Sequence, residues 1–221
     1  MAFARERELT AELAHELRTP LAGIRATIEV ALDRGRPAER YRGALADVLV
    51  IARDTERIVE AMLSLARLDA GAVRATPAPV DLDAVIVTLI AGVAARCEAR
   101  GVALMPRLAQ VTIATDGDML RLVVHNLLDN AASYVDDGGT IEIVLTEDRL
   151  VIANSGCTLV ADDAARVFAR FWRGDAARAT GTHAGLGLAL CKKLVAELGG
   201  AIAVELAGGR FAVSLTWPRA A

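Results

Sequence analysis

Residues 3–69 contain two long stretches that each carry one apolar stripe, and a hairpin of two such helices cannot bury both stripes by itself. In the first, Leu9, Leu13, Leu17, Leu21, Ile24, Ile28 and Leu32 recur at steps of three and four, the period of an amphipathic helix. The second repeats that spacing with Tyr41, Leu45, Val48, Ala52, Thr55, Val59 and Met62. Between them lies Asp33-Arg34-Gly35-Arg36-Pro37, where a glycine stops one helix and a proline opens the next. The economical way to cover the stripes is a homodimer in which two hairpins form a four-helix bundle. The alternative is a hairpin packed on the rest of its own chain.

The remainder of the chain has a different pattern. Asp69–Pro79 is rich in Ala, Gly and Pro and predicts a linker, placed at 71–79, between a first unit at 1–70 and a second at 80–221. The second unit alternates helix and strand signals: helix 83–100, strands 102–107 and 111–114, and a helix from the Asp116 cap to Tyr134. A hairpin follows at 140–145 and 149–153, then an irregular stretch 155–184 with a short helix near 162–168. A helix at 186–198 and strands at 201–206 and 210–217 complete the unit. The expected fold class is α+β: a helical hairpin forming a dimeric four-helix bundle, followed by an α/β sandwich. At 54% hydrophobic and 24% charged, the chain is too apolar to be disordered. Its net charge of −3 and the absence of a Lys/Arg block disfavour nucleic acid as a partner. Three cysteines at wide spacings describe neither a disulfide framework nor a zinc cluster. The apolar run 85–93 falls well short of the ~20 residues of a membrane helix, so no membrane contact is expected of this segment.

Four short constellations point to chemistry. On the first helix wheel His15 lies about 160° from the centre of the apolar stripe, which places it on the solvent side. Glu16 beside it can hold His15 Nδ1 and leave Nε2 nucleophilic, while Thr19 follows one turn on. Pro20, inside the helix, removes one backbone hydrogen bond and bends the rod. A lone histidine also reads as an ordinary surface or packing residue, and the zinc-protease motif fails because position 19 is Thr. The second constellation is Asn126 and Asn130, one turn apart on an otherwise apolar helix. Amide oxygens suit Mg²⁺, with helix caps or buried hydrogen bonds as the alternative. Third is Asn154-Ser155-Gly156, directly after an apolar strand. Fourth is Gly185-Leu186-Gly187 opening a helix, where phosphate can approach free backbone N–H groups. Neither a Walker loop, nor a dinucleotide fingerprint, nor the protein-kinase motif set is present.

Taken together and in order, these segments resemble the transmitter core of two-component sensor histidine kinases. His15–Pro20 (HELRTP) matches the H box, Asn126–Ala131 the N box and Asn154–Gly156 the first glycine box. Phe168–Arg173 (FARFWR) matches the F box and Gly185–Leu188 the second glycine box. The resemblance implies that 1–70 is the dimerisation and histidine-phosphotransfer hairpin and 80–221 an ATP-binding domain of the gyrase and Hsp90 type. It implies ATP and Mg²⁺ as cofactors, autophosphorylation of His15, and transfer to an aspartate of a response regulator. Glu16 is then the base and orienter, and Thr19 a candidate for positioning water in a phosphatase reaction. Asn130 becomes the Mg²⁺ ligand with Asn126 beside it, and Asn154 the reader of adenine. Tyr134, Gly156, Arg170, Arg173, Gly185, Leu186 and Gly187 complete the nucleotide site.

Three positions depart from the family pattern: Asn154 where an Asp is usual, His183 where a Gly is usual, and Ser133 where a Lys or Arg is common. An amide at 154 that is free to flip would satisfy the carbonyl of guanine, so poorer discrimination between adenine and guanine is expected. The departures motivate an alternative, a degenerate kinase that binds nucleotide and acts as phosphatase or scaffold. A gyrase- or Hsp90-type ATPase is the other class; it is disfavoured because an amide at 126 cannot accept a proton from water. The segment itself is expected in the cytoplasm, with an inner-membrane anchor for a longer protein as the companion expectation.

Overall fold

The computed structural model describes residues 2–174 and 184–217, and for residues 2–13 and 15 the helical backbone alone. Its described residues divide into two compact units, 2–63 with 184, and 64–174 with 185–217.

The first unit is the hairpin. Helix α1 (Ala2–Leu32) runs through Pro20 without interruption, and α2 (Ala38–Asp69) follows the break at the expected place. Tyr41 closes the turn by donating its hydroxyl to the Arg34 carbonyl, and it accepts from the Arg36 amide at 3.3 Å. Gly23 of α1 lies against Ile51 of α2, where an added Cβ would be in ordinary contact at 3.6 Å. Much apolar surface stays open within one chain: Leu21, Ile28 and Leu32 on α1, and Leu45, Leu49 and Leu63 on α2, are exposed, while Leu17, Ile24 and Val48 are half-buried and Met62 is buried.

In the second unit, β1 (Ala78–Asp81) runs straight into α3 (Leu82–Ala99). Then come β2 (Ala103–Leu108), β3 (Thr112–Thr115), α4 (Gly117–Tyr134), β4 (Thr140–Leu145) and β5 (Arg149–Asn154). Helix α5 (Gly187–Glu197) precedes β6 (Ala201–Ala207) and β7 (Arg210–Thr216). The main sheet has strand order β2-β4-β5-β7-β6; β2 and β4 are parallel and every other pair antiparallel. Strands β1 and β3 form a separate antiparallel pair. The core is the contact of α4 with the sheet: Val123, Val124, Leu127 and Leu128 with Ile141, Ile143, Leu150 and Ile152, each at most 2% exposed. Strand β4 alternates buried Ile141, Ile143 and Leu145 with half-exposed neighbours, as a sheet covered by helices on one face requires.

Two expectations need correction. Strand β1 occupies residues placed partly in the linker; with Pro79 inside it, it reads as loop, and only pairing with β3 makes it a strand. The helix expected near 162–168 is a single 3₁₀ turn at Ala161–Asp163 followed by turns. Within the stretch 155–184, residues 175–183 lie outside the described residues, and with them His183.

Asp116 is the residue that seats α4. Its carboxylate accepts from the amides of Asp118 at 3.1 Å and Met119 at 3.0 Å, as an N-cap should, and from the Thr76 amide at 3.0 Å. The Thr76 amide first, then that of Met119, holds the carboxyl below its ordinary value. The folded-state value is depressed, so the contribution of Asp116 to stability is complete above about pH 4 and lost as the pH falls further. Asp116→Ala is expected to cost about 0.5–2 kcal/mol in denaturant unfolding at neutral pH, and less when unfolding is measured below about pH 3. Equal loss at both pH values would show that the carboxylate charge is not what seats the helix.

Candidate functional site

The polar side of α4 is built by its buried side. With Val123, Val124, Leu127 and Leu128 committed to the core, Asn126, Asn130 and Tyr134 recur at steps of four along another face, all half-buried. Asn126 Nδ2 donates to the Leu122 carbonyl at 2.8 Å, and its Oδ1 lies beside Gly187, 3.1 Å from where a Cβ would sit. A side chain on this first residue of α5 would therefore press on the Asn126 amide. This contact joins the second and fourth constellations. Burial raises the Tyr134 hydroxyl pKa, while the positive charge of Arg173 lowers it, so that arginine lies within electrostatic reach of the end of α4.

Asn154 ends β5 and is 2% exposed. Its Nδ2 donates to the Ser155 carbonyl at 2.9 Å, while its Oδ1 is buried with no hydrogen-bond donor among the described residues. A buried acceptor without a donor costs about 1–3 kcal/mol, which marks a place where a ligand supplies the donor. Gly156 follows in left-handed backbone (φ +81°), and a Cβ there would meet the Asp136 carboxyl at 2.7 Å.

The segment before α5 is held by Gly185. Its φ is +70°, and an added Cβ would stand 2.6 Å from the Trp172 carbonyl oxygen and 2.9 Å from the Phe171 carbonyl carbon. Phe171 donates its amide to the Gly185 carbonyl at 3.0 Å and is itself left-handed, at φ +58°. That conformation is a strained one for an aromatic residue, held by its contact with Gly185. Leu186 is buried and anchors the start of α5, whose first-turn N–H groups point away from the helix. Arg170 is ion-paired with Asp69 at the end of α2, and Lys193 Nζ bonds the same carboxylate at 2.9 Å. Desolvation pushes the Asp69 carboxyl up, but the bonds from Lys193 and Arg170 outweigh it and its pKa falls below the ordinary value. Of the two arginines expected at the nucleotide site, Arg170 is therefore engaged by Asp69. Cys191, fully buried, is no nucleophile: burial pushes its thiol up to about 12.

On the hairpin, Glu16 is half-buried and Thr19 exposed, both on α1; the side chain of His15 lies outside the described residues.

Two family models match in succession. The histidine kinase A phosphoacceptor domain matches residues 5–71, and the histidine kinase-, DNA gyrase B- and HSP90-like ATPase matches residues 115–221. The chain belongs to the two-component sensor histidine kinases. Among curated relatives, the sensor protein CopS of Pseudomonas syringae pv. tomato is 33% identical over 89% of this chain and 41% of its own length. The histidine-protein kinase/phosphatase MprB of Mycolicibacterium smegmatis is 31% identical over 93% of this chain and 43% of its own. The chain thus spans less than half the length of these relatives. The fold matches that of the histidine kinase ThkA in complex with the response regulator TrrA: TM-score 0.75, 20% identity, 98% of this chain and 64% of that one. No helix among the described residues is long and apolar enough to cross a membrane.

Several contacts around these segments are not visible in the sequence. Asp136, Asp69 and Lys193 carry no motif and enter only through contacts across 19, 101 and 124 positions of chain, respectively, to Ser155, Arg170 and Asp69. The positive φ of Phe171 has no signal in its residue type. Gly185→Ala tests the packing of the segment: it should lower stability by more than about 1 kcal/mol and weaken nucleotide binding, because both the φ and the space forbid a side chain. Gly71→Ala, with φ +63° and open space around it, is the control for the backbone cost alone. Equal losses in denaturant titration would show that the contact with Trp172 is not what Gly185 provides.

Proposed function

We propose that this chain is the kinase core of a two-component sensor: it binds ATP in the second unit, phosphorylates itself on His15, and passes the phosphoryl group to an aspartate of a response regulator. The observation that carries the nucleotide reading is the Asn154 amide oxygen, buried and lacking any donor among the described residues. The exocyclic amine of adenine supplies that donor. The exposed leucines of the hairpin support a homodimer, since each fully buried Leu is worth roughly 1.5–3 kcal/mol. In this reading 1–70 is the phosphotransfer hairpin, 71–79 the linker and 80–221 the ATP-binding domain.

Phosphoryl transfer depends mainly on positioning and charge neutralisation. His15 Nε2 attacks the γ-phosphorus; the new N–P bond replaces the P–O bond to the β-phosphate, and ADP leaves. Glu16 holds Nδ1–H, which keeps Nε2 unprotonated before attack and stabilises the charge on the ring afterwards. The backbone N–H groups of the first turn of α5, reached across Gly185 and Gly187, face the phosphates. Arg173 adds positive charge. Mg²⁺ would be held by the Asn130 oxygen with Asn126 beside it; both are hard donors, and the ion would supply positive charge to the phosphates. Thr19 positions the water that hydrolyses the aspartyl phosphate of the regulator, releasing inorganic phosphate, in keeping with the kinase/phosphatase description of the relative MprB and with the regulator complex of ThkA.

With γ-labelled ATP the wild-type chain should acquire acid-labile label, and His15→Gln should acquire none while still binding ADP. Label persisting in that variant would end the assignment of His15. Binding without label in the wild type would favour the phosphatase or scaffold reading. Asn130→Ala is expected to abolish the Mg²⁺ dependence of ADP binding in calorimetry with little change in melting temperature. A collapsed melting temperature with the Mg²⁺ dependence kept would make Asn130 a packing residue instead.

A further inference from the structure

The amide of Asn154 has two chemically opposite ends, and the described residues engage only one. Nδ2 is bonded to the Ser155 carbonyl at 2.9 Å, and Oδ1 is the end left without a partner. Exchanging the ends would break that hydrogen bond and set Oδ1 against the Ser155 carbonyl oxygen, two acceptors face to face.

Ser155 is in turn fixed from three directions. Its hydroxyl donates to Asp136 Oδ1 at 2.7 Å and accepts from the Thr140 amide at 3.0 Å. Its own amide donates to the Thr140 carbonyl at 3.1 Å. Asp136 is enclosed by two glycines, because a Cβ at Gly139 or Gly156 would collide with its carboxylate. A short relay therefore runs from Asp136 through the Ser155 hydroxyl and backbone to the Asn154 amide.

We propose that Ser155 and Asp136 are positioning residues that hold the Asn154 amide with its oxygen as the free end, so that the nucleotide site selects adenine over guanine. The proposal rests on the nucleotide reading above and reverses the expectation that an amide at this position relaxes base discrimination. The free oxygen accepts from the exocyclic amine of adenine. Guanine presents a carbonyl at the same place and meets an acceptor, or else forces the amide to flip and give up its bond to Ser155. A site built for one hydrogen-bonding partner rejects an analogue that leaves a buried group unpaired.

Calorimetric titration of ADP and of GDP into the full chain tests this. The wild type is expected to bind ADP roughly 10–100-fold more tightly than GDP, the range that one or two unpaired buried groups produce. Ser155→Ala and Asp136→Asn should bring that ratio down several-fold with ADP affinity held within about threefold, and Ser155→Thr, which keeps the hydroxyl, should restore it. Wild-type affinities for ADP and GDP that are equal would overturn the lock, as would an unchanged ratio in both Ser155→Ala and Asp136→Asn. If neither ADP nor inorganic tripolyphosphate binds the wild type, the nucleotide reading itself fails. A measurement without nucleotide decides the lock separately: in the free wild-type chain the Asn154 Nδ2 proton bonded to Ser155 should exchange with solvent far more slowly than that of an exposed asparagine. Exchange at the rate of an exposed amide would refute it.

Discussion

Everything at the site depends on α4 lying flat on the sheet. Val123, Val124, Leu127 and Leu128 are excluded from water against Ile141, Ile143, Leu150 and Ile152, and this apolar contact sets the rotation of the helix. Once the rotation is set, Asn126, Asn130 and Tyr134 have only one direction available. A rotation by one residue, about 100°, would bury an amide and expose a leucine, so the position of the functional face is tied to the stability of the domain. Asp116 fixes the axial position of the same helix by capping it and by holding Thr76.

Two further elements are placed against that helix by close backbone approach. At Gly187 a Cβ would press on the Asn126 amide at 3.1 Å, and at Gly185 the backbone of Phe171 and Trp172 leaves no room for one. Strand β5 arrives through the sheet: its pairing with β4 and β7 carries Asn154 to the strand end, opposite Ile141 and Phe211. Hydrophobic burial, glycine steric exclusion and strand register thus converge on one set of groups, and no single one of them would suffice.

The two units bury apolar surface in different ways. The second closes its own core, with buried side chains on α3, α4, α5 and the central strands. The hairpin leaves Leu21, Ile28, Leu32, Leu45, Leu49 and Leu63 exposed in a single chain, so its stability must come from a second surface.

Much of this was legible from residue order alone. Periodicity placed α1, α2, α4 and α5 and the hairpin of β4 and β5, because a helix or an alternating strand of this length writes its burial into local spacing. The motif residues were legible because their chemistry is rare at such spacings. Strand β1 was not: four residues containing Pro79 acquire strand character only from the partner β3, more than thirty positions away. The same holds for the Asn154 amide. Its residue type allows either end to face a ligand, and only the carbonyl of Ser155, itself held by Asp136, decides between them. Local sequence fixes periodicity, caps and residue chemistry, since these act within a turn or two of chain; orientation of a buried polar group is decided by whatever the fold brings beside it.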